Sequence, residues 1–271
     1  MTNDTPAKAL LVVFSVALVC SVLVSVSAVT LRPVQERNAL VERSRNIIGL
    51  TGLVEPGEDL TSDEILDAVE QLDIRLIDIN AGEFSDVVEV ADFNPRAARN
   101  NPDTSIEIAA GDDLASLGRR ENLAVVYLVW SDGQLQRIIL PVYGQGMWST
   151  LYGYIALEAD LNSIAAMTFY EQTETAGLGD QVQNQAWLAK WQGRKIYDAA
   201  NEVRFRVAGS VVVAGSPAAQ HQVDVMTGAT VTGDGVTRLI QYWFGPNGYG
   251  PFIEQLRLQP PAQLGAGSET S

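Results

Sequence analysis

The residues that most often hold metals and crosslinks are nearly missing. The chain of 271 residues has one cysteine, Cys20, and one histidine, His221. An internal disulfide is therefore excluded, as is a Cys/His metal site or an iron–sulfur cluster held by this chain alone. Basic residues are scarce as well: 18 Lys and Arg stand against 33 Asp and Glu, a net charge of −15. A surface of that sign repels phosphate backbones, which argues against nucleic acid as a partner. No GxGxxG follows a strand-like run and no Gly-x-Ser-x-Gly elbow is present, so neither a dinucleotide site nor a hydrolase nucleophile is signalled. The acidity is uneven, with twelve carboxylates and one base, Arg75, between Glu58 and Asp92. A solvated face explains them more simply than a docking patch for a basic partner.

Uncharged apolar sequence is present in one long run. From Ala9 to Leu31 there are 23 residues without a charge. Roughly 20 apolar residues suffice to cross a bilayer as a helix, and the run exceeds the roughly 7–15 residues of a signal peptide's apolar region. A lipid-modified Cys20 is disfavoured because the bulky Val19 precedes it. The expectation is an uncleaved single-pass helix over 9–31, preceded by a short tail, 1–8. Charge does not orient it, since Lys8 lies on one side and Arg32, Arg37, Arg43 and Arg45 on the other. Residues 32–57 read as a connecting helix, ending near Gly49, and a linker. Residues 58–258 then form the soluble domain and 259–271 a flexible tail.

Within the domain, Thr61-Ser62-Asp63-Glu64 is a capping-box pattern opening a helix with Ile65, Val69 and Leu72 on one face. "IRLIDI" alternates like a strand. "LAVVYLVW" and "QLQRIILPVYG" flank Ser131-Asp132-Gly133, a hairpin signature. "YGYIALE" and "SIAAMTFYEQ" make a second pair around Asp160-Leu161-Asn162. "DQVQNQAWLAKW" predicts a helix with Val182, Trp187 and Trp191 inward, and "RKIYD", "VRFRVAG" and "HQVDV" predict further strands. Antiparallel runs with helices between them point to an α+β domain of one or two lobes, mixed but largely antiparallel.

The stretch with the strongest chemical character is "DVMTGATVTGDGV", residues 224–236. Three hydroxyls, on Thr227, Thr230 and Thr232, are interleaved with Gly228, Gly233 and Gly235. Val236, Leu239, Ile240 and Trp243 follow at helical spacing, so a helix is expected from about Asp234 with this turn at its N-terminus. Free N–H groups, hydroxyls and little bulk suit a phosphate. The simpler reading is a helix cap with a glycine turn. His221, Asp224 and Thr227 or Thr230 have the composition of a hydrolase triad, but neighbouring strand residues alternate faces, so the reading is weak.

These residues also carry a resemblance. Asp224-Val225-Met226-Thr227-Gly228-Ala229-Thr230 is similar to the Asp-x-x-(Ser/Thr)-Gly-Ala-Thr pattern of the FMN-binding domain family, in which a flavin transferase joins FMN to the last threonine through a phosphoester. "ETAGLGD", Glu174–Asp180, resembles the family's Glu-Thr-Pro-Gly-Leu-Gly loop, with Ala176 in place of proline. "GMWSTLYGYIALE", from Gly146, resembles the segment that gives the flavin an aromatic wall. Together with the anchor, the pattern is most similar to the C subunits of Na+-translocating NADH:quinone reductases. The G subunits of Rnf complexes share the flavin motifs.

The resemblance implies covalent FMN on Thr230, with Asp224, Thr227, Gly228 and Ala229 recognised by the flavin transferase. It implies cofactor contacts from Trp148, Thr150, Glu174, Thr175, Gly177, Leu178, Gly179, Thr227, Gly228, Ala229 and Thr232. Thr227 and Thr232 would donate to phosphate oxygens, Thr232 would be the rival attachment point, and Glu174 or Thr175 would bond to the flavin's polar edge. Trp148 as ordinary core is an equally weighted alternative. The implied role is an electron carrier on the periplasmic side of a bacterial inner membrane, partnered by the other subunits of the complex, with no catalytic residue and no metal. Two further readings remain: an Rnf-type subunit, and a cofactor-free membrane-anchored adaptor docking through its acidic face.

Overall fold

The computed structural model describes residues 6–54 and 59–263, apart from the side chain of Glu36. Expectations for 1–5, 55–58 and 264–271, parts of the short tail, the linker and the flexible tail, lie outside the described residues. The chain divides into two units, residues 1–45 and 46–271. The described residues after Arg45 thus form one unit, not two lobes.

Helix α1 runs continuously over Pro6–Thr51. The segments read from the sequence as anchor and connecting helix lie within this span. Pro33 lies inside it; a proline removes one backbone hydrogen bond, but the helix-favouring Arg/Glu/Leu run after it carries the helix on. Large apolar side chains from Leu10 to Leu31 are exposed. Among the described residues this is the one helix long and apolar enough to cross a membrane. It ends two residues beyond Gly49, where the Thr51 hydroxyl donates to the Ile48 carbonyl at 2.7 Å and accepts from the Leu53 N–H at 3.1 Å.

In the second unit, α2 (Ser62–Glu70) opens with the expected reciprocal capping box between Thr61 and Glu64. Strands β1 (Asp73–Asp78) and β2 (Glu83–Ser85) follow, then α3 (Pro95–Asn100) and a small hairpin of β3 (Ser105–Glu107) and β4 (Arg119–Glu121). Four longer strands come next: β5 (Leu123–Ser131), β6 (Gln134–Gln145), β7 (Thr150–Glu158) and β8 (Ile164–Glu171). The chain closes with α4 (Gln185–Leu188), β9 (Arg206–Val207), β10 (Gln222–Val223), α5 (Thr230–Trp243) and α6 (Gly250–Leu258).

The main sheet has six strands in the order β2-β1-β5-β6-β7-β8, and every neighbouring pair is antiparallel. The α+β reading is thereby established. The β5–β6 hairpin turns at Asp132-Gly133, both at positive φ, the geometry that matches strand twist. Strand alternation sorts the apolar side chains onto two faces, and both faces are covered. Val126, Leu128, Ile138, Leu140, Leu151 and Ile155 join one core with Val236, Leu239, Ile240 and Trp243 of α5. Val125, Tyr127, Ile139 and Tyr154 join the other, with Ile47 and Leu50. Each fully buried aliphatic side chain contributes about 1.5–3 kcal/mol, so α5 is held to the sheet by its apolar stripe.

One break in the sheet prepares the site. Strand β5 pairs β6 as far as Tyr127↔Ile139, whereas β6 and β7 pair to Gln145↔Thr150. Pro141, which has no N–H to give, lies in β6 beyond the last β5 partner, where a central strand tolerates it. Along this uncovered stretch α5 takes the place of a strand. The Trp243 indole donates to the Tyr143 carbonyl at 2.7 Å.

Two expectations fail after β8. "DQVQNQAWLAKW" is a series of short helical turns, because the Asn184 side chain accepts from the N–H groups of Ala186 and Trp187 and restarts the helix. Val182, Trp187 and Trp191 are nevertheless buried as expected. "RKIYD", "VRFRVAG" and "HQVDV" yield isolated bridges at Lys195 and Tyr197 and the two-residue strands β9 and β10, which pair in parallel. Their alternation serves burial of Ile196, Phe205 and Val223 in the core without a ladder.

Ile155 is fully buried at the sheet centre, so Ile155→Ala should lower unfolding free energy by about 2–5 kcal/mol. A urea melt should show a lower midpoint with an unchanged slope; an unchanged midpoint would place this residue outside the cooperative core.

Candidate functional site

The three sequence blocks meet at one end of the sheet. The first is the Gln145–Ser149 connection between β6 and β7, closed by a Gly146 N–H to Ser149 carbonyl bond of 2.8 Å. The second is the loop following β8, from Gln172 to Gly179. The third is the first turn of α5. That helix starts at Thr230, four residues earlier than the expected Asp234, because Gly233 already closes a helical bond onto the Ala229 carbonyl at 2.9 Å.

Glu174 joins all three. Its Oε1 accepts from the Trp148 N–H, the Ser149 N–H and the Ser149 hydroxyl, each at 3.0 Å. Its Oε2 accepts from the Met147 N–H at 3.1 Å and the Thr232 hydroxyl at 2.7 Å. Successive backbone N–H groups pointing inward form an anion-binding concavity, here filled by the protein's own carboxylate. Ser149 passes the link back, accepting the Thr173 N–H on its hydroxyl at 2.9 Å. Burial pushes the Glu174 carboxyl up, but the Trp148 N–H, the Thr232 hydroxyl and the Ser149 donors outweigh it and hold the group below the usual glutamate range.

The segments can approach this closely because they are bare of side chains where they cross. A Cβ on Gly235 would stand 2.5 Å from the Gln145 carbonyl oxygen. Gly228 lies at φ +75°, and a Cβ there would meet Leu178 Cδ2 at 2.7 Å, so the Leu178 side chain rests against the turn before Thr230.

Thr230 is exposed as the first residue of α5, and no side chain caps that helix. Thr227 and Gly228 are exposed beside it, while Ala229 is buried. Thr232 differs from its exposed neighbours. It is 1% exposed and its hydroxyl is given to Glu174, so it faces inward. Glu174 is 8% exposed, and its oxygens accept from the protein's own donors. Trp148 is 66% exposed, which removes the alternative that it is ordinary core. Leu178 is also exposed, as are Thr175 and Gly177; Gly179 is buried against Glu174, and Thr150 begins β7 half-buried.

Asp224 is not free in this fold. Its carboxylate accepts from Lys190 Nζ at 2.5 Å and from the Val212 N–H at 2.7 Å, and Lys190 and that N–H hold it below the usual aspartate range. Its carbonyl accepts the Trp187 indole N–H at 2.8 Å. His221 instead turns Nδ1 to the Lys195 carbonyl at 2.9 Å. The imidazole and Asp224 therefore do not form a relay toward Thr227 or Thr230. Sequence reading missed Ser149 and Lys190. Ser149 lies within the quoted "GMWSTLYGYIALE" block, but Lys190, 34 residues from Asp224, leaves no local signal.

Two outcomes follow. Gly235→Ala should push α5 from β6 and cost about 1–3 kcal/mol by thermal melt; an unchanged melt would contradict the close approach. Because the folded Glu174 titrates below its unfolded value of about 4.3, its stabilisation is complete above that pH and is lost as pH falls through the lower folded value. The stability difference between wild type and Glu174→Gln should thus be constant near neutrality and shrink below about pH 4. A difference that grows with acid would refute the assignment.

Known proteins are similar to this chain in sequence and fold. Residues 146–245 match the family model for the FMN-binding domain, a span that begins at the Glu174 cradle and ends after α5. The C subunit of the Na+-translocating NADH-quinone reductase of Pseudomonas aeruginosa is 40% identical over 256 residues, covering 94% of this chain and 97% of that one. Its counterpart from Vibrio parahaemolyticus is 38% identical over 259 residues, covering 94% and 97%. The crystal structure of Shewanella oneidensis NqrC superposes with a TM-score of 0.73 at 34% identity, over 83% of this chain and 99% of that one. The chain, which carries an FMN-binding domain, belongs to the NqrC family, the C subunits of the Na+-translocating NADH-quinone reductases.

Proposed function

We propose that this chain is the membrane-anchored electron-transfer subunit of such a complex, carrying FMN as a phosphoester on Thr230. The observation that carries the reading is Thr230 itself: an exposed hydroxyl on the uncapped first turn of α5, last residue of the Asp224–Thr230 motif. The residues around it fit the cofactor. Unsatisfied N–H groups and the helix dipole at that turn favour a phosphate, and Gly228 keeps the backbone open to it. Trp148 and Leu178 are large apolar side chains left exposed at the same end of the sheet, suited to cover an aromatic ring.

The residues divide the work. Thr230 supplies the ester oxygen, and Thr227 lies ready to donate to a phosphate oxygen. Trp148, with Thr150 and Leu178, would orient the ring system and exclude water from one side. Asp224, with Thr227, Gly228 and Ala229, would be read by the flavin transferase during maturation; in the folded domain Asp224 also ties the turn to Lys190 and Val212. Bound FMN supplies redox chemistry that no side chain here offers. A covalent tether makes occupancy independent of free flavin, an extreme of effective concentration.

In this reading residues 9–31 span a bacterial inner membrane, 1–8 face the cytoplasm, and residues 58–258 lie on the periplasmic side, an orientation resting on the family resemblance. Electrons from NADH, bound on another subunit, pass through this domain toward quinone, coupled to Na+ export. No carboxylate lies between Ala9 and Leu31, so this helix is not itself the ion path.

Co-expression with a flavin transferase, followed by peptide mass spectrometry, tests the attachment. The peptide spanning Asp224–Arg238 should gain the mass of FMN less one water, and Thr230→Val should abolish the gain. An unmodified wild-type peptide, or a modified Thr230→Val peptide, would overturn the assignment.

A further inference from the structure

We infer that Glu174 is a positioning residue: its carboxylate fixes the backbone that carries Trp148 to the first turn of the helix that carries Thr230, and so sets where the indole stands relative to the tether. This goes beyond the contacts that the motif implies and rests on the proposal that Thr230 holds FMN.

The starting point is exposure. An indole that is 66% exposed has little packing to hold it, so its position is set by its own backbone. That backbone is pinned on three consecutive N–H groups, Met147, Trp148 and Ser149, all donating to Glu174. The same carboxylate takes the hydroxyl of Thr232, two residues after Thr230. All five donors are neutral, counting the Ser149 hydroxyl. No cation is needed, because inward-pointing N–H dipoles offset the charge.

The site discriminates a carboxylate from its amide. Both Glu174 oxygens act only as acceptors, three bonds on Oε1 and two on Oε2. A glutamine retains one acceptor oxygen and turns an NH2 toward groups that also donate. The Thr232 hydroxyl can reverse to accept, but a backbone N–H cannot. At least one backbone N–H must therefore lose its acceptor, and the tie between the Met147–Ser149 turn and α5 loosens. Thr232→Val removes one strut while keeping size and branching, and Thr232→Ser keeps the hydroxyl.

The experiment uses the full chain in detergent, before and after flavin transfer. Amide hydrogen exchange reads the 147–149 segment in the unloaded protein, and visible circular dichroism reads the bound flavin's surroundings in the loaded one. With Glu174→Gln and Thr232→Val, exchange at 147–149 should accelerate roughly tenfold or more, and the flavin dichroism should change although Thr230 is still modified. Thr232→Ser should restore both. Wild-type exchange in Glu174→Gln, or faster exchange with unchanged dichroism on a modified Thr230, would overturn the role. If Glu174→Gln does not fold, the Thr232→Val and Thr232→Ser pair decides by the same readouts. A wild-type chain that takes no flavin overturns the Thr230 reading, and the positioning role with it.

Discussion

A carboxylate held by neutral donors is the constraint on which the rest of this site depends. Glu174 receives three backbone N–H groups and two hydroxyls, so a nearly buried charge is stabilised without a counter-ion. A buried ion pair would need excellent geometry from two desolvated charges. Here the compensating dipoles belong to segments that must in any case be brought together. The β6–β7 connection, the loop after β8 and the start of α5 each contribute to one small polar node, and each presents a side chain outward from it: Trp148, Leu178 and Thr230.

The sheet delivers these segments to the same place. Because β6 continues past its pairing with β5, the edge of its last stretch is bonded by other groups: Tyr249 to the Pro141 carbonyl, Trp243 of α5 to the Tyr143 carbonyl, and the Ala115 carbonyl to the Gln145 N–H. Gly235 permits the helix to approach the Gln145 carbonyl. The antiparallel order β6-β7-β8 sets the β6–β7 turn and the end of β8 side by side. In the proposed reading, an exposed hydroxyl, an indole and a leucine above this polar node would hold a planar redox cofactor by one tether.

Much of this was legible in the sequence where the signal is local. The capping box at Thr61, the Asp132-Gly133 turn, the alternation of β5 to β8 and the apolar stripe of α5 each follow from short-range rules, and each is present. Legibility ended where a residue's partner is distant. Thr232 looks like one more phosphate donor in a threonine-rich turn, and only the fold shows its hydroxyl turned inward to Glu174, 58 residues away. Asp224 looks unpaired until Lys190 is placed beside it. The start of α5 is hidden because Gly233 and Gly235 read as turn residues; in the structure they are small residues inside a helix at its contact with Val207 and Gln145. The strands expected around Ile196 and Phe205 failed for a related reason, since their alternation buries side chains without enough neighbours to build a ladder.

Long-wavelength anomalous diffraction from crystals of the flavin-loaded protein would read the tether and the cradle together. A phosphorus peak within bonding reach of Thr230 Oγ1 is expected, with the Thr232 hydroxyl still on Glu174. A phosphorus peak on Thr227 or Thr232, or a Glu174 carboxylate drawn out of its cradle, would contradict the assignment.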